Sequence, residues 1–355
     1  MNKFRRIGIL TSGGDAPGMN AAVRAVARTA LSHGVEVYGI YEGYAGLIHD
    51  NMKLFSNPSE LSNIISRSGT ILYSARCLEF LDEEYRKKAV ELCRERHIDG
   101  IVAIAVGGDG TFRGATKLSL LGIPTIGIPG TIDNDITSTD YTIGFDTAMN
   151  TVVDLVDKLR DTCESHARCD VVEVMGRWAG HIALRTGIAC GASAVAIPEI
   201  PFDEEKAIND IIEQKKNGKR SFIVIVSEGL PGYAEKLAKT IQERTGIETK
   251  FARPAHVQRG GSPTLVDRLT ATEMGVYAVE KLFEGKSDIV VCKVDDKICD
   301  FDITRALMVD SMFKGKLTAD EIAALSPEDK AWAEARCEKV LDGMKRLYHI
   351  ANMVK

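Results

Sequence analysis

The sequence lacks the features that mark several classes of protein. Its eight cysteines form no Cys-x-x-Cys pair, a spacing that zinc sites and redox motifs use. We therefore expect reduced thiols rather than a disulfide framework. Lys and Arg number 45 against 50 Asp and Glu, which gives a net charge of −5. Because no broad basic surface is implied, we expect neither nucleic acid nor an anionic membrane as a partner.

Long apolar runs are also missing. No stretch approaches the roughly 20 apolar residues that a membrane-spanning helix needs. The first letters, MNKFRRIGIL, lack the long apolar core of a secretory signal. With 355 residues, 45% of them hydrophobic, the chain is long enough for two domains or one large α/β unit. We expect a cytoplasmic protein.

Apolar runs of strand length alternate with amphipathic helical segments along the chain. The runs include RIGIL, VEVYGIY, DGIVAIAV, IPTIGI, CDVVEVMG, SAVAIPEI and RSFIVIVSEG. This alternation is typical of parallel sheets covered by helices on both faces. Ligands of such sheets bind beyond the carboxyl ends of the strands. We predict an α/β protein of two doubly wound domains with mainly parallel sheets and the active site in the cleft between them.

The predicted first domain comprises residues 1–145 and about 258–308, because the chain returns to it near RGGSPTLVDRLTATEMG. The second comprises residues 146–257 together with the carboxyl-terminal segment 309–355. That last segment carries charge pairs at helical spacing and no recognisable chemistry. We predict a helical tail that serves packing or contacts between subunits.

The string GGD occurs twice, each time after an apolar strand and before a helix. The two copies lie in TSGGDAPGMN (residues 11–20) and AVGGDGTFRGA (residues 105–115). Paired glycines allow positive φ and let backbone N–H groups approach an anion, and the following helix N-terminus favours phosphate. Taken alone, each GGD is equally compatible with a capped turn. Neither is a Walker A loop or a GxGxxG fingerprint, which argues against a nicotinamide oxidoreductase.

A pair of aspartates follows the next apolar strand. The run GIPTIGI ends at Pro129-Gly130, and TIDND then places Asp133 and Asp135 one residue apart. Aspartates often serve simply as turn residues. In a phosphoryl-transfer site, however, one carboxylate accepts the proton of the attacking hydroxyl while a second helps to hold Mg²⁺ or orients the first. Asp109, from the second glycine turn, adds an oxygen ligand of the kind Mg²⁺ prefers. We predict a phosphate-binding cleft at this sheet edge.

Six motifs occur in the order and spacing found in bacterial phosphofructokinases. They are TSGGDAPGMNAAVRA, GGDGT, PGTIDNDI, DYTIGFDTA, EVMGR and HVQRGGSP, and the similarity extends from about Ile7 to Phe313. GGDGT alone is weak because lipid and dinucleotide kinases share it, whereas PGTIDND followed by MGR and QRGGSP is highly specific. The chain therefore resembles this family. The resemblance implies a glycolytic kinase that, with Mg²⁺, transfers the γ-phosphate of ATP to the 1-hydroxyl of fructose 6-phosphate.

The resemblance also implies roles for single residues. Asp133 would take the proton of the sugar hydroxyl, with Thr131 and Asp135 beside it, and Asp109 would be the carboxylate linked to magnesium. Gly14 would donate a backbone N–H to the transferring phosphate. The residues expected to line the nucleotide pocket are Gly14, Tyr41, Arg76, Cys77, Gly108, Asp109, Gly110 and Thr111.

A sugar phosphate needs several fixed cations, preferably arginines with their planar fork. The resemblance implies that substrate is held by Thr131, Asp133, Asp135, Arg168, Met175, Gly176, Arg177, Glu228, Lys250, His256 and Arg259. Arg177 would also act in catalysis. Lys250 stands where the family has an arginine, and Arg253 is the alternative. In this family an adjacent subunit contributes to the phosphate clamp, which implies a homotetramer with shared active sites.

Two glycines bear on the choice of phosphoryl donor. Relatives that use pyrophosphate have aspartate at the position of Gly110 and lysine at that of Gly130. The aspartate would repel the α-phosphate of ATP, so two glycines favour ATP. A pyrophosphate-dependent enzyme and an inactive, ligand-binding regulatory homologue remain as alternatives.

The sequence departs from the family in two other places. The regulatory pocket is only partly matched, by Arg24, Arg28, Arg160 and Lys219. Ser193 replaces the acid expected there, and Asn57 and Asn217 stand where basic residues are usual, which leaves regulation by a nucleoside diphosphate or phosphoenolpyruvate open. The strand DGIVAIAV is two residues longer than usual, so we expect it either to bulge or to lengthen.

Overall fold

The structure is a computed structural model that describes residues 4–106 and 109–355, apart from the side chains of Val106 and Asp109. The strands within those ranges are β1 (Arg6–Gly13), β2 (Glu36–Ile40), β3 (Met52–Phe55), β4 (Gly100–Val106), β5 (Thr125–Pro129), β6 (Cys169–Val174), β7 (Ala194–Ala196), β8 (Phe222–Ser227), β9 (Thr249–Ala252), β10 (Ile289–Val294) and β11 (Lys297–Asp302). The helices are α1 (Met19–Ser32), α2 (Tyr44–Ile48), α3 (Glu83–Glu95), α4 (Asp109–Leu120), α5 (Phe145–His166), α6 (His181–Ala189), α7 (Glu204–Lys216), α8 (Tyr233–Thr245), α9 (Leu265–Phe283), α10 (Ile303–Phe313), α11 (Ala319–Ala323) and α12 (Pro327–Met353). None of these described helices is both long enough and apolar enough to cross a bilayer.

The chain divides into two compact units. The first consists of Met1–Ile132, Ile136–Asp146 and Gly260–Cys337, and the second of Asp133–Asp135, Thr147–Arg259 and Glu338–Lys355. The aspartates of TIDND thus group with the second unit, although the residues on either side group with the first. The sequence predicts that the whole segment 309–355 belongs to the second domain, whereas in the structure the residues up to Cys337 group with the first unit.

The first unit is built on a seven-stranded sheet of order β11-β10-β5-β4-β1-β2-β3. Its inner pairs are parallel, while β3 and β11 join antiparallel at the two edges. Every residue of β5 is buried, as expected for a parallel strand covered on both faces. The predicted α/β class with mainly parallel sheets is confirmed.

The pairing of strand β4 shows whether its two extra residues form a bulge or lengthen the strand. It pairs with β1 one residue for one, from Ile7 opposite Gly100 to Gly13 opposite Val106. It also keeps a continuous parallel register with β5. Over the described residues the strand is therefore longer rather than bulged, and its in-out alternation is kept.

The second unit contains a four-stranded parallel sheet of order β7-β8-β6-β9. All six residues of β6 and all six of β8 are buried. Phe222, Leu237 and Ile241 belong to the apolar cluster on this sheet. Because β6 lies inside the sheet, the residues just before and just after it are held at opposite ends of one rigid strand.

Candidate active site

The loop that follows β5 carries the TIDND aspartates. It is closed at its base, where Ile143 N donates a hydrogen bond to Pro129 O (3.1 Å). Thr142 Oγ1 donates to Thr131 O at 2.6 Å, and Thr131 is buried. We call residues 130–143 the aspartate loop. Its base is thus fixed by backbone and hydroxyl bonds within the first unit.

Asp133 is the buried centre of a group of charged side chains in the second unit. Only 4% of Asp133 is exposed, and Arg177 Nε lies 3.8 Å from its Oδ2. Burial raises the pKa of Asp133 to about 7; Asp135 and Glu228 add to the rise, while Arg177 and Arg259 oppose it. We call these five residues the aspartate cluster. A carboxyl group that titrates near neutral pH suits general base catalysis.

The turn after β6 places Arg177 in the aspartate cluster. Gly176 has φ 136° and Arg177 has φ 53°. A Cβ on Gly176 would come within 2.5 Å of Ala179 O, so glycine is required there. Glu228 Oε1 accepts hydrogen bonds from Gly176 N (3.1 Å) and Arg177 N (2.8 Å). The carboxylate of Glu228 therefore stabilises a turn that a non-glycine residue rarely adopts.

Gln258 is a site residue that the sequence analysis missed. It is fully buried, and its Oε1 accepts a hydrogen bond from Met175 N at 3.1 Å. It lies in the short 3₁₀ helix Ala255–Arg259, which also carries His256 and Arg259. Its place in the QRGG motif, between the predicted substrate residues His256 and Arg259, is the sequence feature that points to it. Gln258 connects this helix to the end of β6.

Arg168 and Lys250, which we call the cation pair, lie at the other end of β6. Arg168 Nε is 2.8 Å from Glu248 Oε2, and Lys250 Nζ is 2.8 Å from Glu248 Oε1. Hydrogen bonds from Arg168 and then Lys250 lower the pKa of Glu248 to about 2. Since a strand rises about 3.3 Å per residue, the six residues of β6 separate Arg168 from Met175 by roughly 20 Å. The structure brings the cation pair together, away from the aspartate cluster.

Arg253, the alternative to Lys250, pairs with a different carboxylate. Its Nε and Nη2 contact the two carboxylate oxygens of Glu173 at 2.6 and 3.2 Å. Glu173 is buried, and the Arg253 guanidinium lies 5.2 Å from the centre of the Phe251 ring. Both arms of the Arg253 fork are thus engaged by one carboxylate, and the assignment of the phosphate to Lys250 stays a prediction.

Several residues of the predicted nucleotide pocket lie around the first glycine turn, in the first unit. Ser74 Oγ donates hydrogen bonds to Gly13 O (3.1 Å) and Gly14 O (2.8 Å). Ser74 thereby ties the segment that carries Arg76 and Cys77 to this turn. Thr111 Oγ1 donates to the carbonyl of Ser12, which precedes the turn, at 3.3 Å.

Tyr41 lies near the same segment. Its ring centre is 5.9 Å from that of Tyr73, and the carbonyl of Tyr73 accepts a hydrogen bond from Thr11 Oγ1 at 2.6 Å. Gly110 lies in the first turn of the same helix as Thr111, and a Cβ added there would meet none of the described atoms within 4 Å. The structure thus places Gly14, Tyr41, Arg76, Cys77, Gly110 and Thr111 in one unit.

The predicted magnesium ligand is Asp109, which lies next to residues that the structure does not describe. Gly108 and the side chain of Asp109 lie outside the described residues, so both stay predictions; Asp109 is the first residue of α4. Among the described side chains, no three or more His, Cys, Asp or Glu are arranged to hold a metal. The proximity of Asp133 and Asp135, which helps to raise the pKa of Asp133, nevertheless fits Mg²⁺. This ion takes one or two carboxylates and completes its shell with phosphate and water.

The predicted effector residues divide between the two units. Arg24 and Arg28 belong to α1 of the first unit, and Arg28 Nη1 donates to Pro58 O at 3.5 Å. In the second unit Lys219 Nζ donates to Ser193 Oγ (3.1 Å), and Arg160 donates to the carbonyl of Cys190. Their regulatory role stays a prediction.

These features agree with comparisons with known proteins. Residues 6–282 match the family model described as Phosphofructokinase. ATP-dependent 6-phosphofructokinase 1 of Clostridium perfringens (strain 13 / Type A) is 53% identical over 314 residues, which are 88% of this chain and 97% of that protein.

Solved structures give the same result. Phosphofructokinase from Saccharomyces cerevisiae superimposes with a TM-score of 0.84 at 30% identity over 97% of this chain, which spans 49% of the yeast chain. The pyrophosphate-dependent phosphofructokinase from Marinobacter aquaeolei gives a TM-score of 0.73 at 26% identity, covering 85% of this chain and 83% of that one. The specific motifs, the fold and the family match together show that this chain belongs to the phosphofructokinase family.

Proposed function

We propose that this chain is an ATP-dependent 6-phosphofructokinase. It transfers the γ-phosphate of ATP to the 1-hydroxyl of fructose 6-phosphate and gives fructose 1,6-bisphosphate, a step of glycolysis, in the cytoplasm. The single observation that carries the proposal is the buried Asp133 carboxyl, with a pKa raised to about 7, beside Arg177. The Clostridium perfringens relative, which is 53% identical, bears the name of this activity.

Asp133 acts as the general base. It accepts the proton of the 1-hydroxyl while the hydroxyl oxygen forms a bond to the γ-phosphorus, and the bond from that phosphorus to the β–γ bridging oxygen breaks. The electron pair of that bond leaves with ADP. Arg177, 3.8 Å from Asp133, stabilises the negative charge on the transferring phosphoryl group. A raised pKa makes Asp133 a stronger base than an exposed aspartate, which favours proton transfer at neutral pH.

The nucleotide binds to residues of the first unit, with Gly14 N–H directed at the transferring phosphate and Arg76 at the nucleotide phosphates. Tyr41, Cys77, Gly108, Gly110 and Thr111 line its pocket. Asp109 would hold Mg²⁺ together with phosphate oxygens and water, and the ion would neutralise charge on the β- and γ-phosphates. ATP rather than pyrophosphate is the donor because Gly110 has no carboxylate that would repel the α-phosphate of ATP.

The sugar binds beside Met175, Gly176, Glu228, His256 and Arg259, and its 6-phosphate requires the cation pair. One chain cannot supply both parts, because Arg168 and Met175 lie at opposite ends of β6, roughly 20 Å apart. A six-carbon sugar does not reach over such a strand. A second copy of the chain therefore provides Arg168 and Lys250, which makes the enzyme a homo-oligomer, a tetramer by the family resemblance.

A coupled assay with fructose 6-phosphate and Mg²⁺, run with either ATP or pyrophosphate, tests the proposal. We expect turnover with ATP and little with pyrophosphate. Gly110→Asp is the matched variant: its Cβ would meet none of the described atoms within 4 Å, and its carboxylate should weaken the use of ATP. Turnover with pyrophosphate alone would establish the other donor. Binding of the sugar phosphate without turnover would indicate a regulatory homologue.

A further inference from the structure

The far part of the aspartate loop, Thr137 to Asp140, is held by a side chain from the last long helix. Arg336 on α12 is 6% exposed. It donates hydrogen bonds to Thr137 O from Nε (3.2 Å) and Nη2 (2.8 Å). Its Nη2 also lies 2.9 Å from Asp140 Oδ1. One guanidinium group therefore bridges two points of the loop, three residues apart in sequence.

A second contact comes from α10. Asp310, which is 4% exposed, accepts hydrogen bonds from Thr137 N (3.2 Å) and Thr137 Oγ1 (3.0 Å). Lys314 Nζ in turn lies 2.6 Å from Asp310 Oδ2. The N–H, the hydroxyl and the carbonyl of Thr137 are thus all bound by charged side chains from α10 and α12.

The sheet holds the same segment from β10. Asp140 N donates to Lys293 O at 2.8 Å, and Lys293 N donates to Thr139 Oγ1 at 2.9 Å. Ile136 is buried in an apolar cluster with residues of β4, β10 and α10. Since the base of the loop is also closed, Asp133 and Asp135 lie between two fixed ends.

Nothing in the family motifs anticipates this arrangement. The family model matches residues 6–282, whereas α12 begins at Pro327. Burial of a guanidinium group is unfavourable unless it is paired and hydrogen-bonded. All the contacts of Arg336 described above go to the aspartate loop, so its buried charge fixes the position of that loop.

We propose that Arg336 is a positioning residue for catalysis, which holds the aspartate loop so that Asp133 meets the sugar hydroxyl in the reactive geometry. This inference rests on the proposed kinase function. Displacement of a catalytic group by about 1 Å is sufficient to lower a rate roughly 100-fold. The carboxyl-terminal helix, which contains no catalytic motif, thereby contributes to the chemical step.

Arg336→Ala tests the proposal by steady-state kinetics. We expect kcat to fall about 10- to 100-fold, while the KM for ATP changes by less than about twofold, because nucleotide binding depends on the first glycine turn. Guanidinium ion at millimolar concentration should fill the space left by the side chain and restore part of kcat. An unchanged kcat in the folded variant would overturn the proposal.

Arg305→Ala is the matched control. Arg305 on α10 lies 4.6 Å from the ring centre of Trp332 and 2.9 Å from Asp329, both on α12. Its loss loosens the start of α12 but leaves the contacts of Arg336 with the loop in place. We expect an unchanged kcat. An equal loss in both variants would show that only attachment of the helix matters and would contradict a positioning role.

Hydrogen–deuterium exchange of residues 130–143 gives a readout that does not depend on turnover. Exchange there should be faster in Arg336→Ala than in the wild type and unchanged in Arg305→Ala. If the wild type fails to phosphorylate fructose 6-phosphate, only the proposed function is refuted, and exchange still decides whether Arg336 holds the loop. If Arg336→Ala does not fold, Arg336→Lys replaces it; a lysine variant with wild-type kcat and exchange would refute the need for a two-armed contact.

Discussion

The two ends of strand β6 carry charged groups of opposite character. At the carboxyl end, Arg177 and Glu228 belong to the aspartate cluster, where Asp133 is only 4% exposed. At the amino end, the cation pair contacts Glu248, and the side chains of Lys250 and Glu248 are 57% and 46% exposed. Asp133 is buried and titrates near neutral pH, although the Arg177 side chain beside it is 46% exposed, whereas Lys250 and Glu248 are both exposed.

This contrast suits the two ends of β6 to different tasks. Removal of water strengthens the effect of each charge on a reacting group, which suits the buried Asp133 for the proton transfer proposed above. Exposed ion pairs contribute little to stability, so an exchange of Glu248 for the phosphate that we propose as ligand would cost the cation pair little. We expect the end of β6 that carries the buried Asp133 carboxyl group to serve chemistry and the end that carries the cation pair to serve binding, and the following experiments test that distinction.

The largest effect is expected at Asp133. Asp133→Asn removes the base and should lower kcat by about 10²- to 10⁴-fold, measured in the coupled assay. Because the pKa of Asp133 is raised on folding, from its ordinary 3.8 to about 7, its charged form destabilises the folded state, and stability falls as the pH rises through that window. At pH 8 the variant should therefore melt no lower than the wild type. Turnover within about tenfold of wild type would remove Asp133 from its role.

The cation pair should affect binding instead. Arg168→Met and Lys250→Met each remove a cation that we propose to bind the sugar phosphate, which should raise the KM for fructose 6-phosphate about 10- to 100-fold with little change in kcat. Lys250→Arg, which keeps the charge and adds a fork, is the control and should keep or lower KM. A loss of kcat with an unchanged KM would break the proposed division between the two ends.

The acid limb of the pH profile should report the aspartate cluster. Since the base must be deprotonated, kcat/KM should fall about tenfold for each pH unit below about 7. Asp135→Asn removes a charge that raises the pKa of Asp133, so the limb should move to lower pH. A profile that stays flat to pH 5.5 or so would contradict the raised pKa of Asp133.

The smallest effect is expected at Glu248. Glu248→Gln removes the carboxylate that competes with the sugar phosphate for Arg168 and Lys250. The KM for fructose 6-phosphate should fall, by no more than about fivefold, because exposed pairs are weak. A rise in KM would show instead that Glu248 orients the cation pair for the substrate.

Much of the fold and part of the site could be predicted from sequence. The position of Asp133 after β5 followed from an apolar run that ends at a glycine, and Arg177 followed from the MGR motif. The sequence does not indicate the role of Gln258, because an uncharged side chain beside basic residues is not an obvious ligand for a phosphate. Arg336 was not chosen because its partners are backbone and carboxylate atoms about 200 residues earlier in the chain, and no local pattern reveals such a contact.

The sequence alone determined the parallel α/β class, the glycine turns and the residue types of the site. The apolar runs of strands, the residue preferences of turns and the spacing within motifs depend on a few neighbouring residues, so they can be recognised in the sequence. Only the tertiary structure decided which charges share one environment. It buried Asp133 among the ends of β6 and β8, kept Arg168 at the far end of the same strand, and brought Arg336 onto the aspartate loop. Burial and electrostatic coupling depend on distance in space, which sequence separation does not give.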